Sequence, residues 1–303
     1  MAKFGLIGTI THDFITYESG QTFEGIGGVL YQAAVLCGLG QEVSLCTNLG
    51  EELAGPVDTI VQNWRKLERK GVCLVTGPGN RVRLYYPDRG ERIEVLESVV
   101  PPLNPAQIMT DLADLEMLIL VVNSAFDIKL EDWRTIVDAA KCPIWLDVHS
   151  LPLARVLGKN REYLALPEWV EWVRGVHYLQ ANRQEVASML GHPRVLASGE
   201  ELKPFGQKAF DLCVKAVFIT LAKDGVAVYT PHSSKDISAP AVDSVVDSTG
   251  CGDVFCSAAA VRLQEGASPF EAASFGVSLA SRAVNVSGLM ETYQLAKEVS
   301  TEL

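Results

Sequence analysis

Short runs of apolar, β-branched residues recur along the chain, separated by longer stretches with the spacing of amphipathic helices, the pattern of a βαβ protein with a buried parallel sheet. Strands are predicted at about Phe4 to Ile10, Glu42 to Thr47, Met117 to Val122, Ile144 to Val148, Val176 to Gln180, Val217 to Thr220 and Val226 to Tyr229. Capping boxes mark two helix starts, Ser198 with Glu201 and Ser268 with Glu271, and Pro269 stands in a first turn where its missing N–H costs nothing. One stretch departs from this rhythm. Val72 to Val99 contains V-R-L-Y-Y, a turn at Pro87-Asp88-Arg89-Gly90, then E-R-I-E-V, which alternates like a β-hairpin. Joined by a second extended segment, Ile15 to Glu24, it would form a small β lid outside the main sheet; an antiparallel edge extension of that sheet is the other reading. No internal repeat or long linker interrupts the chain, so residues 1–303 are expected to form one domain, with the lid contributed by about 13–26 and 72–99.

The composition, 48% hydrophobic and 21% charged over 303 residues, is that of a folded globular protein. Twenty-six Lys and Arg against 37 Asp and Glu leave a net charge of −11, which argues against nucleic-acid or anionic-membrane partners and requires any anionic ligand to be held locally. The apolar stretch after Lys3 is too short for a signal peptide, and no apolar run approaches about 18 residues, so a soluble, cytoplasmic protein is expected. Seven cysteines, odd in number and without a C-x-x-C pair, read as reduced thiols; five histidines without H-E-x-x-H give no support to a transition-metal site.

The most informative segment is Asp247-Ser248-Thr249-Gly250-Cys251-Gly252-Asp253-Val254-Phe255, running into an alanine-rich helical stretch. Gly250 and Gly252 allow a tight turn that brings bare N–H groups toward a ligand, and a helix N-terminus adds positive potential, which together make an anion hole without Lys or Arg. Asp253 at the helix start would lie beside a bound phosphate, able to take a proton from an attacking hydroxyl. The plainer reading is a helix-capping Asp after an ordinary glycine turn. Cys251 has two readings as well: a small buried filler, or a thiol activated by the helix N-terminus and open to oxidation. No G-x-x-x-x-G-K-[ST] occurs and the first strand lacks G-x-G-x-x-G, which removes P-loop and dinucleotide-binding readings.

The string D-S-T-G-C-G-D-V-F resembles the C-terminal signature of the PfkB, ribokinase-like, carbohydrate kinases, D-T-x-G-A-G-D-x-F. Other segments follow in the family's order. Gly8-Thr9-Ile10-Thr11-His12-Asp13 resembles a first-strand motif whose Asp binds substrate hydroxyls; Gly27-Gly28 and the helical run to Gly40 resemble the N-terminal signature, with Gln32 where the family commonly has Asn. Gly50-Glu51-Glu52 with Gly55 resembles the G-x-D-x-x-G turn, and Asp88 to Arg92 the lid hairpin. Asn182-Arg183-Gln184-Glu185 resembles N-x-x-E, and Thr220 to Gly225 the turn T-L-G-x-x-G with Ala222 replacing a glycine, a change expected to crowd or reshape the donor pocket. The resemblance implies a three-layer α/β/α sandwich with a mostly parallel sheet and a β lid, and ATP-dependent phosphorylation of a hydroxyl on a small sugar, polyol, cyclitol or nucleoside. It makes Asp253 the base and Gly250, Cys251 and Gly252 the anion hole. It places substrate at Asp13, Gly27, Gly28, Gln32 and His149, and donor at Asn182, Glu185, Thr220, Ala222, Gly225, Thr249 and Asn285. Magnesium would be held by Glu185 through water, and a monovalent cation beside Asp247 and Thr249 stays open, as does a homodimer through the lid. Taken without the family, Asn182 and Glu185 read as a helix cap and first turn, and His149 as a satisfied strand-end histidine. Asp147-Val148-His149-Ser150-Leu151 stands where several sugar kinases have D-x-N-x-R, so a phosphorylated acceptor loses a clamp and a neutral one is favoured. The alternative is an inactive ligand sensor that retains the fold.

Overall fold

Met117–Val121 is buried throughout, and its side chains divide between two cores: Met117, Ile119 and Val121 enter one, Leu118 and Leu120 the other. A period of two with both faces apolar is what a strand covered by helices on each side requires. The computed structural model describes residues 2–87, 92–109, 112–194, 196–242 and 244–302. Among these, nine strands form the main sheet: β1 (Lys3–Ile7), β4 (Glu42–Gly50), β5 (Leu67–Val75), β8 (Met117–Val121), β9 (Ile144–Asp147), β10 (Tyr178–Asn182), β11 (Ala216–Thr220), β12 (Val226–Tyr229) and β13 (Ser234–Ile237). Their order is β13-β12-β11-β10-β9-β8-β1-β4-β5, parallel from β11 to β5 and antiparallel at β12 and β13. One face packs on α1 (Leu30–Gly38), α2 (Glu51–Val61), α8 (Cys251–Gln264), α9 (Pro269–Ala283) and α10 (Leu289–Glu302); the other on α3 (Ala106–Met109), α4 (Leu130–Ala139), α5 (Trp169–Val173), α6 (Arg183–Met189) and α7 (Gly199–Phe210). The three-layer architecture expected from the sequence is present. Both capping boxes form, with Glu201 and Glu271 reaching back to the backbone N–H of Ser198 and Ser268.

A separate sheet of β2 (Ile10–Tyr17), β3 (Thr22–Gly28), β6 (Asn80–Tyr86) and β7 (Ile93–Ser98) forms the lid, in the order β3-β2-β6-β7, so the edge-extension alternative fails. Its small core is Ile15, Val82, Leu84 and Leu96. Four sequence boundaries change. The run Phe4 to Ile10 divides, because the chain leaves the main sheet after Ile7 and Ile10 opens β2. Ile15 to Glu24 is two strands joined by a turn in which Tyr17 N–H donates to Gln21 O. Val72 to Val75 belongs to β5, paired with β4 at the main-sheet edge, so the lid hairpin begins only at Asn80. Of the expected hairpin turn, 88–91 lies outside the described residues. The strand read as Val176 to Gln180 is Tyr178–Asn182, which carries Asn182 to the strand end where α6 begins. No helix among the described residues is long and apolar enough to cross a membrane.

Candidate functional site

The turn before α8 is anchored by Asp247, whose carboxylate accepts from Thr249 N–H at 2.9 Å, the Ser287 hydroxyl at 3.0 Å and the Tyr17 hydroxyl at 3.4 Å. The residue considered for a monovalent cation is thus engaged by protein donors, one of them from the lid. Gly250 then adopts φ 76° and caps α8; a Cβ there would lie 2.6 Å from the Tyr31 ring, so the position needs glycine both for its backbone and for its neighbour. The first-turn N–H groups of α8 have no intrahelical carbonyl to bond, and they face the strand ends where open α/β sheets bind ligands. Two buried oxygens at this end, Thr249 Oγ1 and Asp253 Oδ1, have no hydrogen-bond partner among the described residues. Burial pushes the Asp253 pKa up to about 7; Arg92 and its own backbone N–H oppose the rise, and Asp13 adds to it.

Asp13 reaches this place from β2. It is also buried, with its pKa raised to about 7 by desolvation, opposed by a hydrogen bond from Thr11 and by Arg92. Gly27 is required by close approach, since a Cβ would overlap the Asp13 carboxylate, and Gly28, at φ 67°, would overlap Thr9 O. Tyr31 is the α1 side chain at the meeting of Asp13, Asp247 and Asp253; burial, then these carboxylates, raise its pKa. Gln32, expected to touch substrate, is instead 0% exposed, with both amide atoms unpartnered. Neighbouring residues on a helix point in different directions, and here the turn of α1 gives the site to Tyr31. His149 lies in a left-handed conformation at φ 40°, with Nδ1 2.8 Å from Ser150 Oγ. Burial, Arg92 and Arg161 lower its pKa to about 3, so the ring is neutral.

Gln180 joins the two halves. Its Nε2 donates to Asp147 Oδ2 at 3.0 Å and to Gly252 O at 3.1 Å, tying the glycine turn to the end of β9, while its Oε1 is buried without a partner. Burial raises the Asp147 pKa well above the usual range, with Glu185 and Asp253 adding to the rise. Asn182 and Glu185 form a capping box at α6: Asn182 Oδ1 accepts from Gln184 and Glu185 N–H, and the Glu185 carboxylate accepts from Asn182 N–H and Nδ2. The structural role read from the residues alone is therefore present, and Glu185 lies near enough to Asp147 to help raise its pKa.

On the donor side, Thr220 ends β11 and Ala222 adopts φ 51°, so the turn keeps the left-handed backbone of a glycine despite the substitution. Its side chain is exposed. Gly225, at φ 103°, packs on Ile237 and Ala239, just before a cavity of about 500 Å³ lined by Pro240, Ala241, Val242, Ser244, Ser278, Ser281, Arg282 and Asn285. Cys251 is not activated: burial, then Asp247 and Asp253, push its thiol up to about 12, outweighing the helix N-terminus and favouring the filler reading. Sequence reading passed over Gln180 and Arg92, the latter within electrostatic reach of Asp13, Asp253 and His149. A glutamine in an otherwise apolar strand, on the same face as Asn182, was the available signal for Gln180.

Comparisons with known proteins agree with this geometry. The family described as pfkB family carbohydrate kinase matches residues 24–295. Ribokinase of Arabidopsis thaliana is 30% identical over 131 residues, 43% of this chain and 34% of that protein, so the match spans about a third of the relative's length. Among solved structures, ribokinase from Thermotoga maritima superposes with a TM-score of 0.74 at 20% identity, covering 100% of both chains. Arabidopsis thaliana ribokinase complexed with ribose and ATP gives 0.75 at 19% identity, covering 99% of this chain and 98% of that one. A sulfate complex of a pyrophosphate-dependent kinase in the ribokinase family gives 0.81 at 15% identity, covering 96% and 99%.

Proposed function

The chain belongs to the pfkB family of carbohydrate kinases, and on that footing we propose that it transfers the γ-phosphoryl of ATP to a hydroxyl of a small neutral sugar, polyol, cyclitol or nucleoside. The observation that carries this reading is Asp253 Oδ1, a buried, unpartnered carboxylate oxygen in the first turn of α8. An Asp that served only as a cap would have its oxygens satisfied. This one is left for a proton donor that none of the described residues supplies. An acceptor hydroxyl held by Asp13 would give its proton to Asp253 as the phosphoryl moves, while the α8 N–H groups and Thr249 Oγ1 bond the phosphoryl oxygens. Asp253 contributes about 10²–10⁴-fold as a base, so alignment and charge stabilisation supply most of the acceleration.

The nucleoside of the donor fits the cavity between Pro240 and Asn285, of about 500 Å³. A pyrophosphate donor, used by the kinase described in the sulfate complex, would leave that cavity idle. The oxygens of Glu185 and Asn182 at the start of α6 suit magnesium that keeps its hydration shell, reached through water. Among the described residues no group of three or more His, Cys, Asp or Glu could hold the ion directly. When bound, magnesium would neutralise charge on the transferring phosphates. Asp13, Asp247 and Asp253 together oppose an anionic acceptor, leaving Arg92 as the balancing charge. ADP release, measured with ATP and magnesium over a panel of sugars, cyclitols and nucleosides, is expected to find a neutral acceptor. Turnover with pyrophosphate and none with ATP would overturn the donor assignment, and ATP binding without turnover on any acceptor would favour the sensor.

A further inference from the structure

Arg161 lies in the irregular stretch between β9 and α5, outside every motif, yet its side chain is 0% exposed. All three guanidinium nitrogens are used: Nε donates to Ala154 O at 2.9 Å, Nη2 to Ser124 O at 2.9 Å, and Nη1 to Glu94 Oε1 at 2.6 Å. Ser124 is itself fixed by Asp127, which receives the Ser124 N–H and hydroxyl and the Thr9 hydroxyl. Thr9 lies at the junction where the chain passes from β1 to the lid. Glu94, on β7, also accepts from Arg92 Nη2 at 3.2 Å. The same stretch follows the backbone of β7: Gly158 N–H donates to Leu96 O, Arg161 N–H to Glu94 O, and Asn160 bridges Val95. The outer edge of the lid is therefore covered, and a continuous polar chain runs from the main-domain loops to Arg92, a cation near the acceptor site.

We propose that Arg161 is a positioning residue, a latch that acts through Glu94 to hold Arg92 within electrostatic reach of Asp13 and Asp253 whenever β7 is docked. The geometry supports this over a purely structural ion pair, because Glu94 lies between two guanidiniums and only Arg92 retains exposure, at 32%. The groups facing Arg92 are Tyr86 on β6, whose hydroxyl it hydrogen-bonds, Glu94 on β7, Tyr163 in the covering stretch, His149 after β9, Asp13 on β2 and Asp253 on α8. With His149 neutral, Arg92 is the positive member of this set. A lysine at 161 could reach Glu94 but could not bond both carbonyls at once.

The inference rests on the reading of Asp13 and Asp253 as acceptor-site carboxylates, and the two fail in different ways. Arg92→Met is expected to move the acid limb of kcat/KM for the acceptor to higher pH by roughly one unit, because a cation that favours both carboxylates is lost. Arg161→Met is expected to raise the acceptor KM and lower kcat/KM by ~10²-fold through misplacement, to leave the ATP KM near that of the parent, and to shift the limb in the same direction. Arg161→Lys should recover part of that loss. The double variant should be no worse than Arg92→Met alone, since both act through one guanidinium. Effects that multiply, or an Arg161→Met enzyme with the parent's acceptor KM and pH profile, would overturn the latch. Should Arg161→Met not fold, Glu94→Gln decides by the same readouts. Full turnover by Asp253→Asn would instead overturn the underlying reading of the site and leave the Arg161 comparisons to stand or fall separately.

Discussion

The Asp13 carboxylate, carried by the lid, helps to push up the pKa of Asp253 in the first turn of α8. Two buried carboxylates, each raised to about 7, are thus coupled, one from the lid sheet and one from the start of α8. A base must be deprotonated to accept a proton, so kcat/KM for the acceptor should fall as pH drops below about 7. Because Asp13 titrates in the same range, the fall should be steeper than that of a single ionisation. A profile measured at saturating ATP that stays flat from about pH 5 to 8 would contradict this.

The same burial has a consequence for stability. The folded-state pKa of Asp253, about 7, lies above its ordinary value of 3.8, so the native state binds the proton more tightly than the unfolded chain. Stability is then fully present below about 4 and is lost as pH rises through about 7. Asp253→Asn removes that loss. Thermal melts should show the variant more stable than the parent at pH 8, by up to about 4 kcal/mol, with the difference shrinking toward pH 4. Equal melting curves at pH 8 would mean that the carboxylate is not desolvated.

Gly250→Ala places a methyl group against the Tyr31 ring and a non-glycine residue at φ 76°. The left-handed backbone alone costs about 1–2 kcal/mol, and displacement of Tyr31 disturbs the turn proposed to hold the phosphates. The melting temperature should drop and the ATP KM rise together. Parent-like values for both would show that the turn tolerates a side chain.

Cys251 has a thiol raised to about 12, so its thiolate is scarce at neutral pH. Cys251→Ala should keep the parent's turnover, and peroxide should inactivate parent and variant at the same rate. Protection by the alanine would show that this thiol is reactive after all.

Local chemistry made the layers and the turn legible. β-Branched runs, capping boxes at Ser198 and Ser268, and the glycines around Cys251 state their own backbone preferences. Positions decided by tertiary direction were harder to read. Tyr31 and Gln32 are adjacent in sequence, and only the packing of α1 against α8 decides which one meets the carboxylates. Val72 to Val75 is an apolar run beside the lid segment, and its place in the main sheet depends on pairing with β4. Arg161 lies in a stretch without periodicity, and its partners are 67 residues away at Glu94 and 37 away at Ser124. No sequence window could have joined them.

The decisive measurement is turnover of Asp253→Asn with ATP, magnesium and the acceptor identified from the panel, taken together with ATP affinity by calorimetry. Turnover should fall by about 10²–10⁴-fold while ATP binds as it does to the parent. A near-parent rate from a folded, ATP-binding variant would contradict the assignment of Asp253 as the proton acceptor in phosphoryl transfer.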